Sequence, residues 1–294
     1  MIRAIVLGCV LGCALPSPLP AMVGGAPPAS EGTGRAVVML TGSHGTFCSG
    51  VALAHDLVLT AAHCVPAGAT YKLIELDGAL ASEASGQRGD SIVRAHSASE
   101  DARKRADDTR LEAGSSARAG RQPVLKDIAS IARHPGFDVN AALRHRVTAD
   151  VALLKLAAPL KVVPAVLAPP GNPVAAGDRF VVAGYGLTVR GDGKTGGTVR
   201  AATLVATGQP GTLQIRLADP ATKGERAGLG ACTGDSGAPA FRDIGGALAV
   251  IGVVSWSTGP ASTDGCGGLT GVTPLTRYHG WIVEQAGKMG SPLR

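Results

Sequence analysis

Aromatic residues are scarce in this chain: Phe, Trp and Tyr together make up 3% of its 294 residues. Hydrophobic residues still amount to 45%, so a core has to be built mainly from Ala, Val, Leu and Ile. The scarcity also argues against nucleic-acid binding, because such surfaces gather basic residues with aromatic ones, and here the Lys and Arg residues are scattered. The net charge of +6 therefore indicates a basic, soluble surface.

The sequence also lacks a long apolar run, which argues against a membrane-spanning helix. The N-terminal run, residues 4–15, has 12 residues, whereas a helix needs about 20 to cross a bilayer. Because Arg3 precedes this run and a proline-rich stretch follows it, the pattern is typical of a secretory signal peptide. We predict a signal peptide over residues 1–21, no stable membrane span, and a secreted or periplasmic mature protein.

The signal sequence is compatible with more than one form of processing. Cleavage after Ala14 would leave residues 15–21 as a short pro-segment, whereas cleavage after Ala21 would release the mature chain directly. Residues 10–13 also resemble a lipoprotein signal with Cys13 as the acylated residue. A lipid anchor on Cys13 is therefore the alternative location.

Cysteines are few, and none is spaced like a zinc ligand. Two of the six lie in the predicted signal peptide, and an even number in an exported chain predicts two disulfides with three possible connectivities. No CxxC pair or Cys/His cluster has the spacing of a metal site, so we expect neither a metal nor a cofactor. The four remaining cysteines are Cys48, Cys64, Cys232 and Cys266.

Glycine and proline, by contrast, are abundant, with 42 and 19 residues, which favours turns and short strands over long helices. Short β-branched and apolar runs at residues 35–65 and 70–76 predict a first all-β half. A connector at 157–177 and a second β-rich half at 178–276 follow, and helical periodicity is convincing only at 277–288. The chain is therefore predicted to be all-β with a terminal helix.

One segment differs in composition from these strand-like runs. Residues 77–122 are rich in Ala, Ser, Gly and charged residues and contain almost no large apolar side chain. Such a segment cannot bury enough apolar surface to order itself well. We interpret it as an inserted loop with solvated charges.

Three polar residues suggest acyl-transfer chemistry. Ser236 is a weak nucleophile unless a base lies within hydrogen-bond reach and a third group orients that base. His63, after one predicted strand, and Asp150, directly before another, are the candidates. Taken singly, they also fit ordinary roles: a core histidine, a strand-start turn and a turn serine. Taken together, they favour a catalytic set.

The strings around these residues are more specific than the residues themselves. TAAHC at 60–64, ADVALLKL at 149–156 and GDSGAP at 234–239, in this order, resemble the trypsin/chymotrypsin family of serine endopeptidases. The resemblance runs from Met22 to Lys288 and fails over residues 77–122.

This resemblance implies an all-β fold of two six-stranded antiparallel Greek-key β-barrels, with the active site in the cleft between them and a C-terminal helix. The peptidase domain would cover residues 22–294. Barrel 1 would lie at about 22–156, barrel 2 at about 178–276, and the helix at about 277–288.

The same resemblance assigns catalytic roles. Ser236 attacks the scissile carbonyl, His63 moves the proton, and Asp150 orients the imidazole. The N–H groups of Gly234 and Ser236 form the oxyanion hole. The implied partners are polypeptide substrates and protein inhibitors.

Substrate contacts follow from the resemblance as well. The strand edge at Ser255 and Trp256 would pair with the substrate backbone, and Gly230, Ser257 and Gly271 would line the specificity pocket. Because Gly230 stands where trypsin-like members carry Asp, cleavage after Arg or Lys is not expected. An open, uncharged pocket for medium or large apolar side chains is predicted, with Asp264 a solvated loop residue.

The resemblance further implies an activation ion pair and two disulfides. In the family, proteolysis of a zymogen frees an α-amino group that pairs with the acid of the GDSG string, here Asp235. The matching terminus is Met22, where the family usually has Ile or Val. The implied bonds are Cys48–Cys64 and Cys232–Cys266.

Two other functions were weighed against an endopeptidase. A catalytically silent relative that acts as a binding module would usually lack a member of the triad, and this chain has all three. An α/β-hydrolase would carry a G-x-S-x-G nucleophile elbow and a different chain order of the triad. The sequence thus favours an exported serine endopeptidase, with the silent binding module as the alternative.

Overall fold

A computed structural model describes residues 22–75, 123–144, 146, 148–208 and 213–293. The predicted signal peptide at 1–21, with Cys13, and the predicted insertion at 77–122 lie outside the described residues. No helix in the described part of the chain is both long and apolar enough to cross a membrane.

Six antiparallel strands close the first barrel in the order β1-β2-β3-β6-β5-β4. Short turns link the first three strands, and β4 returns to pair with β1, which closes the ring. The strands are β1 (Val37–Gly42), β2 (Phe47–Ala54), β3 (Leu57–Thr60), β4 (Tyr71–Glu75), β5 (Val124–Arg133) and β6 (Ala152–Leu156).

The short strand β7 (Val166–Leu167) leads into the second barrel and pairs in parallel with the outer side of one of its strands, β12. The barrel itself closes in the order β8-β9-β10-β13-β12-β11, all antiparallel. Its strands are β8 (Arg179–Gly184), β9 (Arg200–Ala206), β10 (Ile215–Ala218), β11 (Pro239–Ile244), β12 (Ala247–Ser257) and β13 (Thr270–Pro274). The predicted pair of six-stranded barrels is confirmed.

Side chains alternate between two apolar clusters along the strands, so small aliphatic residues can fill the core with few aromatic ones. In β1, Val38 and Leu40 point into barrel 1, while Val37 and Met39 join a second cluster that also contains Val253 of barrel 2. Because successive side chains of a strand face opposite sides, one strand feeds both the barrel interior and the contact between barrels. The two barrels therefore share one continuous apolar interface.

The described part of the chain also contains three α-helices: α1 (Glu31–Gly34), α2 (Val139–Leu143) and α3 (His279–Lys288). Helix α3 is the predicted C-terminal helix, and it buries Ile282 and Ala286 against the interface cluster. The chain then turns at Gly290, and the Ser291 hydroxyl donates to Asp56 at 2.6 Å. Lys155 also contacts Ser291 at 2.6 Å, so the tail is fastened to barrel 1.

Phe180 tests the packing of barrel 2, because it is 1% exposed in the cluster that fills this barrel. We expect Phe180→Ala to lower the free energy of unfolding by about 3–5 kcal/mol, through lost burial and the cavity left behind. Val166→Ala, at a side chain 63% exposed, should change it by less than about 0.5 kcal/mol. Urea unfolding checks both, and equal effects would contradict the assigned core.

Candidate active site

His63 and Asp150 are brought together by the pairing of two strands. His63 lies in the 3-10 turn Ala62–Cys64 that follows β3, and Asp150 stands just before β6. Because Thr60 pairs with Ala152 across these strands, both residues lie at the same end of barrel 1. His63 Nδ1 is 2.7 Å from Asp150 Oδ2, and the His63 backbone N–H donates to Oδ1 at 2.9 Å.

The Asp150 carboxylate is fully buried, and a third donor reaches it from barrel 2. The Ser255 hydroxyl donates to Oδ2 at 2.5 Å. Burial by itself raises the pKa of Asp150, but the hydrogen bonds and charge of His63, together with the Ser255 bond, outweigh it and hold that pKa below its usual value. Asp150 is therefore an ionised acceptor at neutral pH.

An ionised acceptor at Nδ1 sets the tautomer of the imidazole. Nδ1 must carry the proton that faces Asp150, which leaves the Nε2 lone pair of neutral His63 directed away from the carboxylate. The His63 side chain is 27% exposed, and Nε2 lies 3.8 Å from Cys64 Sγ. This nitrogen is equipped to accept a proton.

The loop that carries Ser236 packs on the same end of barrel 1. The Ser236 carbonyl accepts from the Ser49 N–H at 2.8 Å. A Cβ on Gly237, which has φ +79°, would stand 2.1 Å from Thr60 Oγ1, so only glycine allows this approach. Since Thr60 ends β3 just before the His63 turn, the Ser236 loop packs against the strand end that leads to His63. Ser236 itself is half-buried.

The backbone before Ser236 is shaped by a second glycine. Gly234 has φ +96°, and a Cβ there would lie 2.3 Å from the Phe47 ring. Within the residues that the structure describes, the N–H groups of Gly234 and Ser236 donate to no protein acceptor. Two free backbone donors so close in sequence form an arrangement that can bind an anion.

Asp235 lies beneath this loop and is fully buried. Its carboxylate accepts from the Gly186 N–H and the Cys232 N–H, both at 2.9 Å. Burial raises its pKa to about 7, and these two hydrogen bonds offset only part of the shift. Met22 is also fully buried and packs in the barrel 2 cluster, and Val23 bridges to Gly230.

Both implied disulfides are present. Cys48–Cys64 ties β2 to the His63 turn, and Cys232–Cys266 ties the serine loop to the segment between β12 and β13. Cys48, His63 and Cys64 also come close enough together to suggest metal ligands. Because both sulfurs are bonded to each other, the cluster is a tether rather than a metal site.

In the region of the predicted pocket, the neighbours Gly271 and Thr270 make different contacts. Gly271 pairs with Trp256 across β12 and β13, and a Cβ on it would lie 2.0 Å from the indole. Thr270 is fully buried, and its Oγ1 accepts from the Ala231 N–H at 3.0 Å. Thr270 therefore lies beside Ala231, whereas a Cβ on Gly230 would meet Gly267.

Thr270 is not among the pocket residues that the sequence predicts. The alternation of a strand could have supplied the signal, since adjacent residues face opposite sides. The pairing partner is needed to decide which side is which. In the structure, Ser257 pairs with Thr270, and Ser257 Oγ contacts the Gly265 carbonyl at 3.4 Å.

Strand β12 continues beyond the end of its neighbour. Its pairing with β11 stops at Val253, whereas β12 itself extends to Ser257. The residues Ser255–Ser257 are half-buried. Trp256 and Ser257 pair with β13, and Ser255 lies at the register shift between Val254 and Trp256. Asp264 is 94% exposed and lies 4.0 Å from Arg190, which agrees with its prediction as a solvated loop residue.

Comparison with known families agrees with this geometry. The Trypsin family model matches residues 22–103 and 88–282. The two matched segments overlap inside the predicted insertion at 77–122 and together span most of the sequence. The chain therefore belongs to the trypsin family, in agreement with its two closed barrels.

Proposed function

We propose that this protein is an exported serine endopeptidase that hydrolyses peptide bonds through an acyl-enzyme. The observation that carries the proposal is the His63–Asp150 pair, bonded at 2.7 Å, at the strand end on which the Ser236 loop packs. The membership of the trypsin family and two disulfides, which form in oxidising compartments, support the activity and the export.

In the proposed reaction, His63 Nε2 takes the proton of the Ser236 hydroxyl as its oxygen attacks the substrate carbonyl carbon. The carbonyl oxygen becomes an oxyanion that the N–H groups of Gly234 and Ser236 bind. Asp150, ionised and buried, stabilises the imidazolium that forms. His63 then returns the proton to the leaving amine, and the Ser236 ester remains.

Water completes the cycle by the same route. His63 removes a proton from the water as it attacks the ester, and the proton returns to Ser236 when the acid product leaves. The extended strand edge Ser255–Ser257 offers main-chain groups to the substrate backbone. Pairing of the substrate along this edge would bring the scissile bond next to Ser236. The edge belongs to the strand whose Ser255 hydroxyl bonds to Asp150.

Active-site labelling tests the proposed nucleophile. A fluorophosphonate should form one covalent adduct on Ser236 of the mature protein, and Ser236→Ala should abolish both adduct and peptidase activity. Intact and peptide masses locate the adduct. No adduct on a chain that begins at Met22 would contradict the endopeptidase and favour the silent binding module.

The orienting role of Asp150 has its own test. Asp150→Asn keeps the shape but replaces the ionised acceptor, which removes the reason for Nδ1 to carry the proton. We expect kcat to fall by about 10⁴-fold, measured on a peptide substrate at pH 8. Asp264→Asn, a matched change at an exposed carboxylate, should leave kcat unchanged. Equal kcat values for both variants would contradict the proposed triad.

We further propose that the enzyme prefers small uncharged side chains before the scissile bond. The contact that supports this is the bond between the Ala231 N–H and the Thr270 hydroxyl at 3.0 Å. In this proposal Thr270 narrows the pocket that the sequence predicts to be open, and Gly230 adds no charge to it. The proposed preference is therefore uncharged, for smaller side chains than the sequence predicts.

Thr270 variants test this preference. Thr270→Gly should raise kcat/KM for Phe relative to Ala at the cleavage position by about 10-fold or more, because a side chain in the pocket changes discrimination by 10–200-fold. Thr270→Ser keeps the hydrogen bond to Ala231 and separates lost volume from lost bonding. An unchanged Phe/Ala ratio in Thr270→Gly would show that Thr270 does not line the pocket.

Activation is proposed to depend on Asp235. A buried carboxylate with pKa about 7 is costly when ionised, and an α-ammonium group at Met22 would offset that cost. Met22 is already buried near this loop, and residue 23 is bridged to Gly230. Freeing the Met22 amine would therefore stabilise the loop that carries the oxyanion donors.

The pH dependence of stability tests the proposed ion pair between the Met22 amine and Asp235. In a chain extended by residues 15–21, the raised pKa of Asp235 gives stability that is present below about pH 4 and lost as pH rises through about 7. A chain beginning at Met22 should not lose this stability as the pH rises. We expect the gap in urea midpoints between the two chains, both carrying Ser236→Ala, to widen from pH 4 to 8. Asp235→Asn should remove that widening, and a gap independent of pH would contradict the ion pair.

A further inference from the structure

Ser49, near the start of the buried part of β2, uses every polar group it has. Its N–H donates to the Ser236 carbonyl at 2.8 Å, and its carbonyl accepts from Thr60 Oγ1 at 2.7 Å. Its hydroxyl donates to the Gly234 carbonyl at 2.8 Å and accepts from the Tyr185 N–H at 3.0 Å. One residue of barrel 1 thus contacts both sides of the proposed oxyanion hole.

The hydroxyl bonds of Ser49 depend on its side chain, whereas its main-chain bonds do not. Any non-proline residue at this position could bond to Ser236 and Thr60 through its backbone. The bonds to Gly234 and Tyr185, by contrast, need a side chain, and a hydroxyl makes both through one atom because it is both donor and acceptor. The serine, rather than the strand, therefore holds the Gly234 carbonyl.

That carbonyl matters because Gly234 is the freest point of the loop. With φ +96° and no Cβ, its two flanking peptide planes can rotate more easily than those of any other residue type. The preceding plane is held by the Leu187 N–H, which donates to the Thr233 carbonyl at 2.8 Å. The following plane, which carries the Gly234 carbonyl and the Asp235 N–H, is held by Ser49 Oγ at one end and by the Cys232 carbonyl, 3.0 Å from the Asp235 nitrogen, at the other. The Gly234 N–H lies in the preceding plane, so Ser49 acts on it by limiting rotation at the Gly234 Cα between the two planes.

We propose that the Ser49 hydroxyl is a positioning residue that aims the Gly234 N–H at the oxyanion of the transition state. This inference rests on the proposed endopeptidase function. The group acts through Gly234 and does not touch the substrate. It links barrel 1, which carries His63, to the donors of the serine loop, so the two parts of the site keep their mutual geometry.

A positioning role predicts that loss of the hydroxyl weakens binding of tetrahedral states more than binding of the planar substrate, which a purely structural role does not predict. Loss of an oxyanion donor weakens binding of the tetrahedral state but not of the planar substrate. A peptide aldehyde forms a tetrahedral adduct with Ser236, whereas the matching peptide alcohol cannot. The ratio of their inhibition constants therefore reports on the oxyanion site alone.

The test compares Ser49→Ala with Ser291→Ala, the same change at another buried hydroxyl, whose bonds go to Asp56 and Lys155. We expect Ser49→Ala to lower kcat and aldehyde affinity in parallel by about 10–100-fold, short of the 10²–10³-fold loss of a whole donor. KM and alcohol affinity should stay within about twofold. Ser291→Ala should lower only the urea midpoint.

Each outcome decides one point. Unchanged kcat and aldehyde affinity in Ser49→Ala, or an equal loss for aldehyde and alcohol, would overturn the positioning role. Ser49→Gly, which also lacks the hydroxyl but keeps the backbone bonds, provides the same comparison if the alanine variant does not accumulate. A matured wild-type chain that neither cleaves peptides nor binds the aldehyde would instead overturn the proposed function, and this inference with it.

Discussion

The buried carboxylate of Asp150 is the group on which the geometry of the site depends. A charge inside a protein is tolerated only when hydrogen bonds and neighbouring charge replace its hydration. Two donors come from His63 in barrel 1 and one from Ser255 in barrel 2. The carboxylate therefore fixes the imidazole and, at the same time, draws the two barrels together at the cleft.

The second buried carboxylate, Asp235, behaves in the opposite way. Its two backbone donors offset burial only partly, so its pKa rises to about 7, whereas that of Asp150 is lowered. The contrast follows from their neighbours, because Asp150 faces an imidazole and Asp235 faces only neutral dipoles. Asp150 thus has a basic partner within the described residues, whereas the donors that Asp235 has there are backbone N–H groups.

Much of the fold was predictable because its signals are local. Alternating apolar residues indicate strands, abundant Gly and Pro indicate turns, and three short strings indicate how the two barrels lie in sequence. The positions of His63, Asp150 and Ser236 followed from those strings. Thr270 and Ser49 did not, because nothing nearby in sequence distinguishes them: a threonine beside a glycine, and a serine in an apolar strand, have many ordinary roles.

The sequence by itself determined the order of the strands, the pairs of cysteines available, and the residues with the chemistry for acyl transfer. Only the tertiary structure decided which residue of β13 bonds to the Ala231 N–H and which hydroxyl bonds to the Gly234 carbonyl. Both depend on contacts between residues far apart in the chain: Thr270 with Ala231, 39 positions away, and Ser49 with Gly234, 185 positions away. Register between strands sets such contacts, and a shift of one residue turns every side chain to the opposite face.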